Sequence, residues 1–354
     1  MTTHPGRSGG TPAPTDLDLG AGNTPVISLP RLAERWRLPA LVAKAEHLNP
    51  TGSYKDRIAA ATMAAALTAG RRGWIGTSSG NGGAAMAAHG QRAGLPGFIC
   101  VPSDAPVEKL ASIRPYGVEM VAMSTMGPVV MAELGRIAEQ ENLQLTITTH
   151  VHNPEGMHGA QGIGTELAAI GGITHVYVPV GGGGLLVATA AGLRSGGSDA
   201  IVVACQPAGC APVARHLAGE LPEPIVSRCD TDVSGLQLPE PPDGPAAAEA
   251  VRASGGWGTT MSDEMVWQAQ DLLATSEGIF VEPAAAVSLA AVAEDVRTGR
   301  LGPDDRPCVV LSGNGLKDLR RFTKPASPAE ITTIADLAGR VSDYLAIAQR
   351  KGTL

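Results

Sequence analysis

The amino-acid sequence predicts an α/β fold built on an open, mostly parallel sheet. Short apolar runs rich in Val and Ile, bounded by Gly or Pro, alternate with longer Ala-rich stretches of helical pattern. Such runs are typical of buried parallel strands, and their alternation with helices is typical of βαβ units. The chain has 354 residues, which is long enough for two domains or for one large unit.

Six apolar runs indicate strands, at residues 40–43, 97–101, 118–123, 175–180, 200–205 and 308–311. Four stretches indicate helices, at residues 56–69, 83–93, 129–142 and 263–276. The last follows Ser262 and begins with two acidic residues, which favours a helix start because the hydroxyl accepts from a free amide. An amphipathic pattern at 330–350 predicts a terminal helix, and the Pro-rich segment 221–245 predicts a long surface connection.

Composition excludes several classes of protein. With 27 basic and 34 acidic residues the net charge is −7, which does not suit a protein that neutralises nucleic-acid phosphates. No run reaches 18 apolar residues, and the first 20 residues lack the apolar segment of a secretory signal, so we expect a cytoplasmic protein that does not span a membrane. The cysteines lack CxxC spacing, which predicts buried reduced thiols and no metal site: Cys100, Cys205, Cys210, Cys229 and Cys308.

Two polar loops each precede a helical stretch. Residues 49–57 read NPTGSYKDR, and Lys55 stands at the predicted helix start. The positive end of the helix dipole favours the neutral, nucleophilic form of such an amine, which a Schiff base requires. Residues 77–83 read TSSGNGG, whose hydroxyls and free amides suit a carboxylate.

Two further loops each follow a predicted strand. Gly181, Gly182, Gly183 and Gly184 come after the run 175–180, and four successive glycines let backbone amides turn toward a phosphate. The pattern matches neither the dinucleotide fingerprint nor the P-loop. Ser312 ends the run 308–311, where a neutral hydroxyl can bind a ring nitrogen without forcing its protonation.

In their order along the chain, these loops resemble those of the fold type II pyridoxal-phosphate enzymes, the group of tryptophan synthase β-subunit and threonine synthase. The resemblance covers residues 22–319 and includes GNTP at 22–25 and EGIFVEPA at 277–284. Within the group, NPTGSYKDR and LSGNGLKD are similar to the NPTGSFKDR and LTGNGLKD of threonine synthases. The resemblance implies two domains, each an open, mostly parallel twisted sheet flanked by helices, and pyridoxal 5'-phosphate as cofactor.

The resemblance also implies a role for each site residue. Lys55 is the catalytic residue and forms the Schiff base, Asn81 contacts the phenolic oxygen of the cofactor, and Ser312 meets its pyridine nitrogen. The implied cofactor-binding residues are Lys55, Asn81, Gly181, Gly182, Gly183, Gly184 and Ser312. The predicted substrate-binding residues are Ser78, Ser79, Gly80, Asn81, His152 and His158.

The segment 150–158 departs from the threonine synthase pattern. That family commonly has an NPxR-type segment whose arginine helps to bind the substrate's phosphate, and here Gly156 stands at that place. The change removes a bidentate partner worth ~1.5–3 kcal/mol. His150, His152 and His158 lie in the same segment, where they either contact the substrate or are solvated, and a metal site is not expected without a fourth ligand. We expect Lys109 and Arg114 on a solvated helix face.

The predicted reaction is a threonine synthase-like elimination or replacement on an activated homoserine or a related amino acid. The missing arginine favours a specialised biosynthetic enzyme. A β-replacement on an activated serine, as in cysteine or cysteate synthases, and a threonine or serine dehydratase remain open. A cofactor-binding sensor is the alternative outside enzymes, and the presence of Lys55, Asn81 and Ser312 argues against it.

The expected domain organisation follows the same resemblance. A mobile leader occupies residues 1–20, and a large cofactor-binding domain combines 21–59 with 166–324. A small mobile domain occupies 60–165, and a helical extension occupies 325–354. The expected partners are a small amino-acid substrate and a second copy of the chain in a homodimer, with no nucleic acid and no membrane.

Overall fold

A computed structural model of the protein describes residues 17–105, 107–323 and 333–350. The chain forms a main unit, which ends at Asp318, and a C-terminal unit, which begins at Leu319. Most of the predicted leader, residues 1–16, lies outside the described residues. Within the described residues, no helix is long and apolar enough to cross a membrane.

One sheet of the main unit contains six strands: β1 (Val26–Ser28), β2 (Val42–Lys44), β7 (His175–Pro179), β8 (Ile201–Pro207), β9 (Gly258–Met261) and β10 (Pro307–Val310). Their order is β1-β2-β10-β7-β8-β9. The pairing of β1 with β2 is antiparallel, and the other pairings are parallel. The mostly parallel sheet that the apolar runs predict is therefore confirmed.

A second sheet contains β3 (Trp74–Thr77), β4 (Gly97–Pro102), β5 (Glu119–Met123) and β6 (Gln144–Leu145). Its order is β5-β4-β3-β6, and its pairings are parallel. All four strands come from the stretch 60–165 that the sequence assigns to a small domain. The limits of that domain and its mobility stay predictions.

The described helices of the main unit are α1 (Pro30–Arg35), α2 (Lys55–Thr68), α3 (Asn81–Arg92), α4 (Val107–Ala111), α5 (Pro128–Gln140), α6 (Pro154–Gly159), α7 (Gly162–Ile170), α8 (Gly184–Ser195), α9 (Pro212–Leu217), α10 (Gly244–Ala253), α11 (Asp263–Glu277) and α12 (Pro283–Arg297). As predicted, Ser262 caps α11, and its hydroxyl accepts from the Met265 amide at 3.3 Å. The C-terminal unit contains α13 (Ile334–Arg350), while part of the predicted helix at 330–350 lies outside the described residues.

Both faces of the six-stranded sheet are covered by helices. Tyr177 and Val203 join a core with residues of α1, α11 and α12. Val176 and Val202, one position earlier in each strand, join a second core with residues of α7, α8 and α10. Helices on both faces leave the edge at the carboxyl ends of the strands for loops that carry chemistry.

Two predictions need correction. Cys210 and Cys229 form a disulfide, so the prediction of five reduced thiols is wrong for this pair, and Cys100, Cys205 and Cys308 are buried and free. The pair meets because the Asp230 amide donates to the Gly209 carbonyl at 2.8 Å, which lays the Pro-rich segment against the turn after β8. That segment is also more than a surface connection, since Val233 and Leu236 are buried in the core.

Candidate active site

Lys55 is the first residue of α2 and directly follows the loop that leads from β2 to this helix. Its Nζ donates a hydrogen bond to the Thr148 hydroxyl at 2.8 Å and lies 4.9 Å from the centre of the Tyr54 ring. The Tyr54 amide donates to the Ser312 carbonyl at 3.0 Å. This bond joins the lysine loop directly to the residues that follow β10.

A buried carboxylate holds the lysine loop in place. Asp56 is fully buried, and one of its oxygens accepts from the Thr51 amide at 3.0 Å and from the Thr51 hydroxyl at 2.9 Å. Its other oxygen lies 3.1 Å from Nε2 of His89 in α3. Asp56 and His89 therefore connect the lysine helix to the helix that starts at the Ser-Gly-Asn loop. Sequence reasoning missed this pair, because a histidine 33 positions further along the chain carries no local signal.

The Ser-Gly-Asn loop follows β3 and opens α3 at Asn81. Ser78 and Thr148, the partner of Lys55, line the same small cleft. The Ser78 hydroxyl accepts from the Gly80 amide at 3.3 Å, and Ser79 is half-buried. The structure thus brings the predicted carboxylate loop and the lysine amine to one place.

Two side chains that sequence reasoning did not assign hold the amide group of Asn81. Its Nδ2 donates to the two carboxylate oxygens of Glu282 at 3.1 and 3.0 Å. Its Oδ1 accepts from Lys317 Nζ at 2.9 Å. Burial raises the pKa of Glu282 and lowers the pKa of Lys317, so removal from water disfavours the charged form of both. The signal available was their presence in the EGIFVEPA and LSGNGLKD segments.

The glycine turn follows β7 and opens α8. Gly183 has a φ of +93°, a conformation that favours glycine. A Cβ atom on Gly181 would lie 2.7 Å from the Gly235 carbonyl oxygen, and one on Gly183 would lie 2.7 Å from the Asp243 carbonyl. The turn therefore has no room for side chains at Gly181 and Gly183. The first backbone amides of α8 have no hydrogen-bond acceptor within their own helix.

A histidine and an aspartate stand beside this turn. Asp243 is 4% exposed, and its Oδ2 would lie 2.8 Å from a Cβ on Gly184. The carboxylate accepts from the His150 amide at 3.2 Å, and the His150 ring Nδ1 lies 3.2 Å from Oδ2. The predicted substrate contacts His152 and His158 are both exposed, and His152 Nδ1 lies 2.8 Å from the Thr149 hydroxyl. Of the three histidines, His150 is therefore the one that the fold brings to the glycine turn.

Lys109 does not lie on a solvated face, so that prediction is wrong. Its Nζ donates to the Ser234 hydroxyl at 2.5 Å, next to the Gly235 carbonyl that packs on Gly181. Arg114 is exposed, as expected. The lysine thus connects α4 to the segment that covers the glycine turn.

Gly156, where threonine synthases commonly carry an arginine, has no room for a side chain. A Cβ atom there would lie 2.2 Å from the Thr62 hydroxyl and 2.4 Å from Nδ2 of Asn153. Thr62 and Asn153 are both buried, and Nδ2 of Asn153 donates a hydrogen bond to the Thr62 hydroxyl at 2.8 Å. An arginine at this position requires a different packing of α6 on α2.

These residues fit pyridoxal phosphate. The site offers a primary amine on Lys55, a side-chain-free turn at a helix start for the phosphate, and the buried residue Ser312 after β10 for the ring nitrogen. Ser53, which pairs with Gly313 in an isolated bridge, is fully buried, and its hydroxyl has no partner among the described residues. Within those residues, no group of three or more metal-ligating side chains could hold an ion.

Comparison with known proteins agrees with this chemistry. The chain is 33% identical over 310 residues to a threonine synthase of Halalkalibacterium halodurans, covering 85% of this chain and 84% of that protein. A threonine deaminase of T.th. is 28% identical with a TM-score of 0.69, covering 86% of this chain and 94% of that one. Maize serine racemase shares the fold, with a TM-score of 0.73 at 21% identity, covering 92% and 93%. A model of the pyridoxal-phosphate-dependent enzymes matches residues 17–313, and the chain belongs to that family.

Proposed function

We propose that the protein catalyses a threonine synthase-like elimination or replacement at the β or γ position of an amino acid. The observation that carries the proposal is the placement of the Lys55 amine, hydrogen-bonded to Thr148, beside the cleft that Ser78 also lines. The similarity to threonine synthases over most of the chain supports this class of reaction.

Each loop has one task in this reaction. The bound cofactor supplies an electron-withdrawing ring at the substrate's α-carbon. Lys55 anchors the cofactor covalently. Once released, its amine takes the proton from the substrate's α-carbon and returns it to a different carbon of the substrate. The amides of Gly181–Gly184 bind the cofactor phosphate, Asn81 its phenolic oxygen and Ser312 its ring nitrogen.

The substrate carboxylate is proposed to lie against Ser78, Ser79 and Gly80 at the start of α3. Free amides and hydroxyls at a helix start suit an anion. The contact fixes the α-carbon near the lysine amine, since the same cleft includes Thr148.

A β-replacement on an activated serine is the second candidate. The packed position of Gly156 favours it, because the fold leaves no room for the arginine that threonine synthases commonly use for the substrate's phosphate. A dehydratase is a further outcome of the same chemistry, in which no nucleophile adds.

The test loads the purified chain with pyridoxal phosphate and follows the visible absorbance of the lysine-bound cofactor. We expect Lys55→Ala to lose this band and to reduce turnover at least ~10³-fold, because the covalent anchor and the base are lost together. Lys55→Arg is the matched control: it keeps the charge, cannot form the bond, and should fail equally. An intact band and intact turnover in Lys55→Ala contradict the proposal.

Three assays then separate the candidate reactions. Threonine formation from O-phosphohomoserine indicates a synthase, a new product from an activated serine and a nucleophile indicates β-replacement, and 2-oxobutanoate from threonine alone indicates a dehydratase. A cofactor band that no amino acid changes identifies a sensor instead. We also propose a homodimer, which light scattering of the holoenzyme tests.

A further inference from the structure

The glycine turn lies against a buried carboxylate. Asp243 is 4% exposed, and a Cβ atom on Gly184, the first residue of α8, would lie 2.8 Å from its Oδ2. A phosphate at the start of α8 would therefore meet a second anion close by. Like charges that are held together away from water disfavour binding. A turn that binds a phosphate well in this setting requires a compensating positive charge.

The backbone fixes Asp243 to the turn, so its carboxylate cannot move far away. The Asp243 amide donates to the Gly182 carbonyl at 2.9 Å, and the Asp243 carbonyl accepts from the Ala247 amide of α10 at 2.9 Å. A Cβ atom on Gly183 would lie 2.7 Å from the same carbonyl. The carboxylate is therefore a permanent neighbour of any group that the turn binds.

His150 provides a positive charge that can offset this carboxylate. Its ring Nδ1 lies 3.2 Å from Oδ2 of Asp243, and its backbone amide donates to the same carboxylate at 3.2 Å. Among the described residues, this is the only ion pair that Asp243 forms. In its protonated form the imidazole carries one positive charge.

The contact between His150 and Asp243 differs from that of a structural pair. Nδ1 of His150 is buried and makes no hydrogen bond among the described residues, although it lies within hydrogen-bond distance of the carboxylate. The two groups are therefore close but not aligned, and the imidazole side chain is 28% exposed. His89 and Asp56, by contrast, are hydrogen-bonded at 3.1 Å, and their side chains are 3% and 0% exposed. The His150 ring thus acts on Asp243 through its charge.

The segment that carries His150 also reaches the lysine amine. Thr148, two residues earlier, accepts from Lys55 Nζ at 2.8 Å. The contact of His150 with Asp243 therefore connects the residue that holds the amine to the turn that is proposed to hold the phosphate. These two places correspond to the two ends of the cofactor that the protein must hold at once.

We infer that His150 is a positioning residue for the cofactor phosphate: its imidazolium offsets the buried Asp243 carboxylate and thereby lets the glycine turn accept a dianion. The inference rests on the proposed function, because it takes the turn as the phosphate site. It gives His150 and Asp243 a joint effect on the affinity for the phosphate and none on the reaction of the lysine amine.

The test compares two aldehydes that differ only in the phosphate. The purified, cofactor-free chain is titrated with pyridoxal phosphate and separately with pyridoxal, and the absorbance of the lysine-bound aldehyde gives each dissociation constant. Both aldehydes react with Lys55, so a change in the ratio of the two constants isolates the contribution of the phosphate. Calorimetry with inorganic phosphate gives a second readout that does not involve the lysine.

We expect His150→Gln to weaken pyridoxal phosphate about 10- to 100-fold, because it leaves a carboxylate unopposed beside a dianion, and to change pyridoxal less than about threefold. Adding Asp243→Asn to this variant should restore the affinity to within about threefold of the unmodified chain, because the charge that requires a partner is gone. His150→Lys should keep most of the affinity, since it keeps a cation. His216→Gln, which removes another half-buried histidine, on α9, is the control and should change neither ligand.

Recovery in the double variant separates an effect of charge from an effect on the fold. If His150→Gln weakens both aldehydes equally, if Asp243→Asn does not restore binding, or if His150→Gln behaves as His216→Gln does, the inference is wrong and the proposed function stands. If neither aldehyde produces the absorbance band on the unmodified chain, the proposed function is wrong as well.

Asp243→Asn alone provides a test that remains available when His150→Gln does not fold. The asparagine keeps an acceptor for the His150 amide and removes the negative charge. We therefore expect this variant to bind pyridoxal phosphate and inorganic phosphate as tightly as the unmodified chain, or more tightly. A loss of more than about threefold for either ligand would show that the turn requires the carboxylate, and would overturn the inference.

Discussion

Two groups of charged residues near the start of α2 differ in how completely their charges are paired. The first group is a buried ionic network of Lys44, Glu46, Arg57 and Glu166. Arg57 binds Glu46 at 2.8 Å and Glu166 at 2.6 Å, and Lys44 binds Glu166 at 2.5 Å. The second group, Lys317 and His47, lines a pocket, and the Lys317 ammonium makes one hydrogen bond in the described part of the chain.

The difference separates charges that are fully paired within the fold from a charge that keeps hydrogen-bonding capacity to spare. In the network, the Arg57 guanidinium donates to Glu46 and to Glu166. The Thr24 hydroxyl donates to Glu46 at 2.6 Å. Such a set is self-sufficient, and removing one member leaves another charge buried and alone. In the pocket, Lys317 and His47 keep unused hydrogen-bonding capacity next to open volume.

The largest expected effect comes from breaking the network. Arg57→Met leaves Glu46, which is fully buried, without its main partner. We expect the free energy of unfolding in urea to fall by about 3–5 kcal/mol. Arg72→Met, which breaks an exposed pair with Glu141 at 3.5 Å, is the control and should cost less than about 1 kcal/mol. Equal losses in the two variants would show that burial of the network does not matter.

A smaller expected effect is the loss of folding stability at acidic pH. Burial acts to raise the pKa of Glu166, but the Arg57 and Lys44 cations outweigh it and hold that pKa at about 2, below its ordinary 4.5. Because the folded-state pKa is the lower one, this contribution is complete above about pH 4.5 and disappears as the pH falls toward 2. We expect it to amount to about 2 kcal/mol, since the side chain is 24% exposed.

Urea unfolding at pH 7, 4.5 and 3 measures this contribution. The unmodified chain should lose more stability between pH 4.5 and 3 than Glu166→Gln, which has no proton to take up at this position. Parallel curves for the two proteins would mean that Glu166 titrates normally and that the network is weaker than its distances indicate.

The smallest expected effect is in the pocket. Lys317→Gln should change the free energy of unfolding by less than about 0.5 kcal/mol, because one hydrogen bond is lost while the cost of holding an ammonium away from water disappears. The measurement is the same urea titration on the cofactor-free protein. A loss above about 2 kcal/mol would place Lys317 with the network, as a structural residue.

Much of the fold could be predicted from local pattern. Apolar runs at 97–101, 175–180 and 308–311 became strands within one or two residues, because a strand buried on both faces must be apolar along its length. The short strands β1, β3, β6 and β9 were not predicted. Strands β1, β6 and β9 have 2–4 residues that are only partly buried, and β3 is buried but has only four residues, so none of the four carries a long apolar run.

Some features of the candidate site could likewise be predicted from the sequence, and others could not. The lysine loop and the glycine turn could be located from the sequence because each is a run of neighbouring residues at the start of a helix. The partners of Asn81 could not, because Glu282 and Lys317 lie 201 and 236 positions away. Among three histidines with similar sequence surroundings, the position of Asp243 selects His150.

The sequence by itself determined the alternation of strands and helices, the membership in a pyridoxal-phosphate family and the loops suited to its cofactor. Periodicity and helix-start chemistry act over a few residues, and a linear sequence displays them directly. The tertiary structure decided which charges are paired and which stay available, which cysteines meet, and whether a side chain fits at Gly156. These outcomes depend on the packing of distant segments, which no local pattern contains.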